Sequence, residues 1–268
     1  MIRYKHFTPN LIVVLIIVAL TIGCKKDEPN PLPTSPDETT LPSPMTGAVH
    51  ANQNVGASAF ELLSNTKYPN LIVEVSYMNG YKPTQRTLDK LKLFLEARLN
   101  KTSIDIQAKQ IPASGNDSYT LEQLRAEDTT HRSLFTEDKT ITTHLMIVDG
   151  FYDEGESVLG IAYRNTSMVL FGKAIQKYSG GLGQPSRPLL ESSVTLHEFG
   201  HILGLVNVGT DMQAEHQDEA HGKHCDNETC LMYWTAENGD AISSLLGSGT
   251  VPLLDQNCVN DLQANGGK

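Results

Sequence analysis

Five consecutive residues, His197-Glu198-Phe199-Gly200-His201, have the types and spacing of a metal-dependent hydrolytic site, and Gly204 follows three residues later. On a helix, positions i and i+4 share one face a turn apart, so both imidazoles can reach one Zn²⁺. Glu198, beside the first histidine, is then placed to hold and deprotonate a zinc-activated water as general base. The same spacing also arises in helices that bind nothing. Here the flanks favour function: Leu189 to Val206 lacks Pro and Asp, and Leu190, Val194, Leu196, Phe199, Ile202 and Leu203 suit a largely buried helix. Two histidines and a glutamate are costly to bury there unless a metal pairs with them.

A catalytic zinc normally takes three protein ligands and keeps one position for water, so the third ligand must come from outside the helix. The polar segment that follows offers Asp211, His216, His221 and His224, or the glutamates Glu215 and Glu219. Residues 224–232 read H-C-x₄-C-x-M, from His224 and Cys225 through Cys230 to Met232. With H-E-x-x-H-x-x-G, this resembles the metzincin proteases, and among them the archaemetzincins. In those, the third zinc-binding histidine precedes a cysteine and a second cysteine leads to the Met-turn. The usual third-histidine slot is Asn207 in this chain, and a neutral amide is a poor zinc ligand beside imidazole. The resemblance therefore implies an insertion from Asn207 to Lys223, His224 as third ligand and Met232 as the residue packed beneath the zinc. A glutamate ligand, as in gluzincins, would leave Gly204, the cysteines and Met232 unexplained.

The same resemblance implies peptide-bond hydrolysis and an edge strand that pairs with an extended substrate. Gly160, Ile161, Ala162 and Tyr163, within Val158–Tyr163, occupy the corresponding place in the chain; the other reading is an ordinary paired strand. Some metzincins carry a tyrosine ligand two residues after the methionine. That position is Trp234 here, so the role is not carried over, and Tyr233 and Trp234 either line the site or fill core.

The N-terminus sets the compartment. Residues 1–23 carry Arg3, Lys5 and the apolar run Leu11 to Leu20, which is too short to span a bilayer but suits a secretory signal. Thr21-Ile22-Gly23-Cys24 resembles a bacterial lipobox, which implies lipidation of Cys24; a plain signal peptide or an N-terminal anchor is the alternative. Lys25-Lys26-Asp27-Glu28 resembles the surface-export signal of some Gram-negative lipoproteins. Six prolines between Pro29 and Pro44 read as a semi-rigid spacer, so residues 24–48 are expected to tether a domain at 49–268 to the outer membrane.

That domain is long enough for one sizeable core. The net charge is −10 and becomes −12 once the signal is removed, which disfavours nucleic acid and leaves the lipid as the membrane contact. The expected partner is a peptide or protein substrate, and the expected state is a monomer. Cys225, Cys230 and Cys258 remain in the domain. Outside the cytoplasm a Cys225–Cys230 disulfide, or one from either to Cys258, is expected. The alternative is a counterpart of the archaemetzincins' second zinc, with three cysteines and a further ligand such as His221.

The elements that must position these residues are legible as patterns. Strands are predicted at Leu71–Val75, Ser103–Ala108, Leu145–Val148, Val158–Tyr163 and Met168–Phe171. Helices are predicted from Pro83 and Thr84 to Asn100, over Thr120–Arg132, over the motif, and over Val251–Gln263. The class is α/β (α+β): a twisted mixed sheet over an active-site helix, with a Met-turn and a C-terminal helix. The expected function is a zinc endopeptidase acting on extracytoplasmic proteins or peptides. The competing reading is a zinc-containing binding lipoprotein with weak or lost catalysis.

Overall fold

The computed structural model describes residues 43–268. The signal, Cys24 and most of the expected tether lie outside the described residues. Two short helices, α1 (Ser43–His50) and α2 (Ala59–Leu63), come first, so α1 runs across the boundary expected at residue 48. Then follow β1 (Asn70–Met78), α3 (Gln85–Arg98), β2 (Ser103–Ile111), β3 (Ser118–Tyr119), α4 (Leu121–His131) and β4 (Thr140–Val148). After these come β5 (Phe151–Tyr152), β6 (Gly160–Arg164), β7 (Ser167–Phe171), α5 (Gly172–Lys177) and α6 (Arg187–Ile202). A 3₁₀ turn (Trp234–Glu237), α7 (Ile242–Leu245) and α8 (Gln256–Ala264) complete the order.

The main sheet runs β2-β1-β4-β7-β6; the first four strands are parallel and β6 is antiparallel to β7. β4 is buried along nearly its whole length, as its apolar run predicts for a strand covered on both faces, whereas β2 alternates between exposed and half-buried at one edge. β6 closes the other edge, in register Ile161 to Val169, with an irregularity between Ala162 and Arg164. The mixed α/β class expected from the sequence is the class observed.

Local chemistry sets the helix ends. The Thr84 hydroxyl accepts the Thr87 N–H at 3.2 Å, and Thr120 with Gln123 forms a capping box at the start of α4. α6 starts two residues before Leu189, with Pro188 in its first turn where no N–H partner is needed. It stops at Ile202 rather than Val206. Gly204 turns left-handed at φ +79°, and the Leu205 N–H reaches back to the Gly200 carbonyl at 3.1 Å. α8 starts at Gln256 instead of Val251. Leu253 is engaged beforehand, its carbonyl accepting the Leu231 N–H at 2.8 Å, and Asp255 caps the helix through the Cys258 N–H.

α6 is buried from Leu189 to Ile202 and packs against α3 and across β6 and β7. One carboxylate inside it is fully satisfied: Glu191 accepts the Thr84 N–H and the Thr87 hydroxyl, each at 2.7 Å, and Arg187 at 3.2 Å. That anchors the helix to the start of α3 and fixes the rotation that aims its next turns. Among the described residues, no helix is long and apolar enough to cross a membrane.

Candidate metal centre

His197 and His201 project from the last two turns of α6, and their Nε2 atoms lie 3.1 Å apart. His224 reaches them from the far side, its ring stacked on that of His197 at 5.3 Å between centroids. The His197 Nδ1–H donates to the Leu231 carbonyl at 2.8 Å, and the His224 Nδ1–H donates to the His221 carbonyl at 2.8 Å. Each of those two rings therefore keeps a lone pair on Nε2 directed at the centre, the tautomer a metal ligand needs. Burial, and then the neighbouring His197 and His224, push His201 well below the usual histidine range, so it stays neutral.

A fourth group joins them. Glu237, at the end of the 3₁₀ turn, brings Oε2 to 3.7 Å from His197 Nε2 and Oε1 to 3.4 Å from His224 Nε2. One donor atom from each of the four side chains falls within 4.8 Å of all the others. Neighbouring donors about 2.1 Å from a tetrahedral zinc stand roughly 3.4 Å apart. The observed separations bracket that spacing, so the donor set fits a zinc-sized cation. No motif marked Glu237 in the sequence; it lies five residues beyond Met232 and reaches the site through the turn.

Glu198 lies beside this group, fully buried, and neither carboxylate oxygen makes a well-formed hydrogen bond; the Ala162 N–H on β6 favours its charged form only weakly. Burial, and then the charge of Glu237, raise it well above the ordinary carboxylate range. A buried acceptor without a partner is expensive, and one facing a set of metal donors is poised to receive a proton. A cleft of about 180 Å³ opens onto it, bordered by Ile161, Ala162, Glu198, His201, His224 and Glu237. Of the four strand residues singled out for substrate, Ile161 and Ala162 are half-buried and line this cleft. Gly160 and Tyr163 are buried in the packing beneath.

Met232 is fully buried below α6. A Cβ on Gly200 would sit 2.2 Å from its sulfur, so the glycine between the two helical histidines gives the methionine its place. The adjoining residue, Leu231, supplies the carbonyl that orients His197. The rival third ligands lie elsewhere: Asp211, Glu215 and Glu219 are exposed, and His221 stacks on Trp234 at 4.3 Å while bonding Asp218. Asn207, also exposed, begins the segment that carries the chain away before His224 returns.

His216 belongs to a second cluster. Its Nε2 pairs with Asp261 at 2.7 Å, and its Nδ1 lies 3.4 Å from the Cys225 sulfur. The expected Cys225–Cys230 disulfide is not formed; Cys225, Cys230 and Cys258 are all free and buried. Each thiol instead has hydrogen-bond partners of its own. Cys225 turns to His216 and to Asp255 at 3.3 Å, whereas Cys230 lies 3.7 Å from Cys258 and receives the Met232 and Asp255 N–H groups, each at 3.4 Å. Hydrogen bonds from Cys225 and Cys258 hold the Cys230 thiol below the usual cysteine range. His216, Cys225, Asp255 and Cys258 offer donor atoms close enough for a metal, and His221, the fourth ligand considered from sequence, is not among them.

A Ser-His-Asp chain also occurs in the sheet. His144 links Asp128 at 2.5 Å to Ser76 at 2.9 Å. All three residues are buried, Ser76 completely, and Asp128 also binds Arg164 at 2.7 Å. The network ties α4 to β1 and β4 and offers no accessible nucleophile.

No family model matches the chain, and no curated protein matches it. Among solved structures, the archaemetzincin of Methanopyrus kandleri aligns at 14% identity and TM-score 0.48, covering 74% of this chain and 96% of that one. Metalloproteinase-II from Bacteroides fragilis aligns at 15% identity and TM-score 0.38, over 75% of this chain and 54% of the other. Likenesses this distant carry no argument about chemistry, which rests on the site itself.

Proposed function

We propose that this protein is a zinc-dependent endopeptidase of the cell envelope, held at the outer membrane by a lipid on Cys24 and acting on extracytoplasmic proteins or peptides. The observation that carries the reading is Glu198: a buried carboxylate with no well-formed hydrogen bond, beside three histidines whose donor atoms converge. His197, His201 and His224 would hold the zinc, with the Leu231 and His221 carbonyls fixing the rings of His197 and His224. A zinc ion bound there supplies Lewis acidity, polarising a carbonyl oxygen and bringing the pKa of a water to about 7. Glu198 takes the proton of the attacking water on its carboxylate and returns it to the leaving amine. The outer edge of β6, where Ile161 and Ala162 border the cleft, pairs with an extended peptide.

The test separates binding from chemistry. Glu198→Gln should retain zinc and lose casein or peptide-library hydrolysis by about 10²–10⁴-fold, the usual worth of a general base. Full hydrolysis by this variant would refute the assignment. One observation favours the competing reading of a binding lipoprotein: Glu237 completes a four-donor set, and closed four-ligand zinc sites are structural. A zinc-loaded wild type that cleaves nothing across broad peptide sets would support that reading.

A further inference from the structure

Glu237 differs from the other three donors in its surroundings. The side chains of His197 and His224 are 0% and 10% exposed, whereas that of Glu237 is 31% exposed on the cleft side. It is therefore the donor with somewhere to go. Its backbone is held where an extended peptide would begin to pair: the Glu237 carbonyl accepts the Leu159 N–H at 2.9 Å, and the Gly239 N–H bonds the Ser157 carbonyl at 2.7 Å. The bridge between Val158 and Asn238 continues this clamp just ahead of β6. With the main chain pinned on both sides, motion falls to the side chain.

The carboxylate borders the small cleft that Glu198 also lines. While Glu237 faces the histidines, it occupies the position that an open catalytic centre keeps for water or substrate. A permanent fourth donor would close the site; a displaceable one makes it latent.

We propose that Glu237 is a fourth, displaceable metal ligand that closes the centre at rest and swings into the cleft when a substrate or another donor arrives. This rests on the zinc-site reading above and extends it to a residue that the motif does not contain. The chemistry is ligand exchange: a carboxylate oxygen leaves as another oxygen donor enters, with no change in oxidation state. A carboxylate that merely pairs with metal-free histidines would contribute nothing once the ion is bound.

The test uses the mature protein, Glu237→Gln and Glu237→Ala, each loaded with zinc or with cobalt as a spectroscopic substitute. The partial exposure of the side chain favours normal folding of both variants, and circular dichroism checks it. Both should bind zinc at least about tenfold more weakly and show an altered cobalt visible spectrum, with acetohydroxamate binding at least about tenfold tighter than to wild type. Peptide hydrolysis per bound zinc should rise. An unchanged cobalt spectrum and zinc affinity would overturn the ligand role. Altered metal properties with unchanged acetohydroxamate affinity, or without a gain in hydrolysis, would overturn the gate. Failure of the peptidase reading is seen separately, as full hydrolysis by Glu198→Gln or none by a zinc-loaded wild type, and leaves the cobalt and acetohydroxamate results to decide the ligand.

Discussion

Gly200→Ala isolates the contact between the motif helix and Met232. The added methyl would lie 2.2 Å from the Met232 sulfur and 3.1 Å from its methyl carbon, although heavy atoms pack at about 3.5–4.0 Å. Met232 is fully buried, so its flexibility offers no escape to solvent. Overpacking of this kind costs roughly 1–3 kcal/mol, and alanine in place of glycine returns about 1 kcal/mol of helix propensity. The net is a loss of about 0–2 kcal/mol, and each kcal/mol lowers Tm by roughly 2–4 °C in a domain of this size. Displacing Met232 also moves Leu231, whose carbonyl fixes His197 at 2.8 Å, so zinc affinity should fall by about 10-fold or more. The decisive assay is a double-mutant cycle by thermal melting in chelator. Met232→Ala alone should cost about 2–5 kcal/mol. In that background Gly200→Ala should reverse sign and stabilise by up to about 1 kcal/mol, because the clash is gone and the propensity gain remains. The same effect of Gly200→Ala in both backgrounds would refute the packing argument.

Three further outcomes follow from the geometry. His224→Ala should abolish zinc binding at the His197–His201 centre and the proposed hydrolysis together, whereas His216→Ala should leave that zinc in place; metal analysis and activity on both variants decide between them. Denatured without reductant, the protein should titrate Cys225, Cys230 and Cys258 as thiols, and a single reactive thiol among them would reinstate a disulfide. Burial opposes charge on Asp128, but His144, Arg132 and Arg164 outweigh it and hold its carboxyl below the usual range. Its contribution is thus present above about pH 4, the unfolded value, and is lost as pH falls through the depressed folded value. Asp128→Asn should cost about 3–5 kcal/mol near neutrality, and its stability should converge on that of the wild type in acid; a constant gap between the two curves would contradict this.

How much of the site could be read beforehand depended on sequence distance. His197, Glu198 and His201 lie within one turn of helix, so local periodicity alone shows that the two histidines share a face. Helix starts at Thr84 and Thr120 were similarly legible, because a cap needs only a hydroxyl and the next three residues. The start of α8 was not: Val251 to Leu254 has an apolar pattern but pairs through Leu253 with Leu231, a contact made across the fold. The cysteines show the same limit, since the oxidising compartment expected from the N-terminus suggests pairing while the partners of each sulfur follow from backbone placement.

The sequence by itself determined that one buried helix presents two imidazoles and a carboxylate with metal-hydrolysis spacing, and that the surrounding class is mixed α/β. Helical geometry and the cost of burying polar groups suffice for both. Only the tertiary structure decided which of several distant side chains meets those imidazoles. It brings His224 to the site and sends His216 to the thiol cluster, through a segment whose course no short-range pattern encodes. It also supplies Glu237, because the approach of the 3₁₀ turn to β6 is set by main-chain bonds to Ser157 and Leu159 rather than by any local signal.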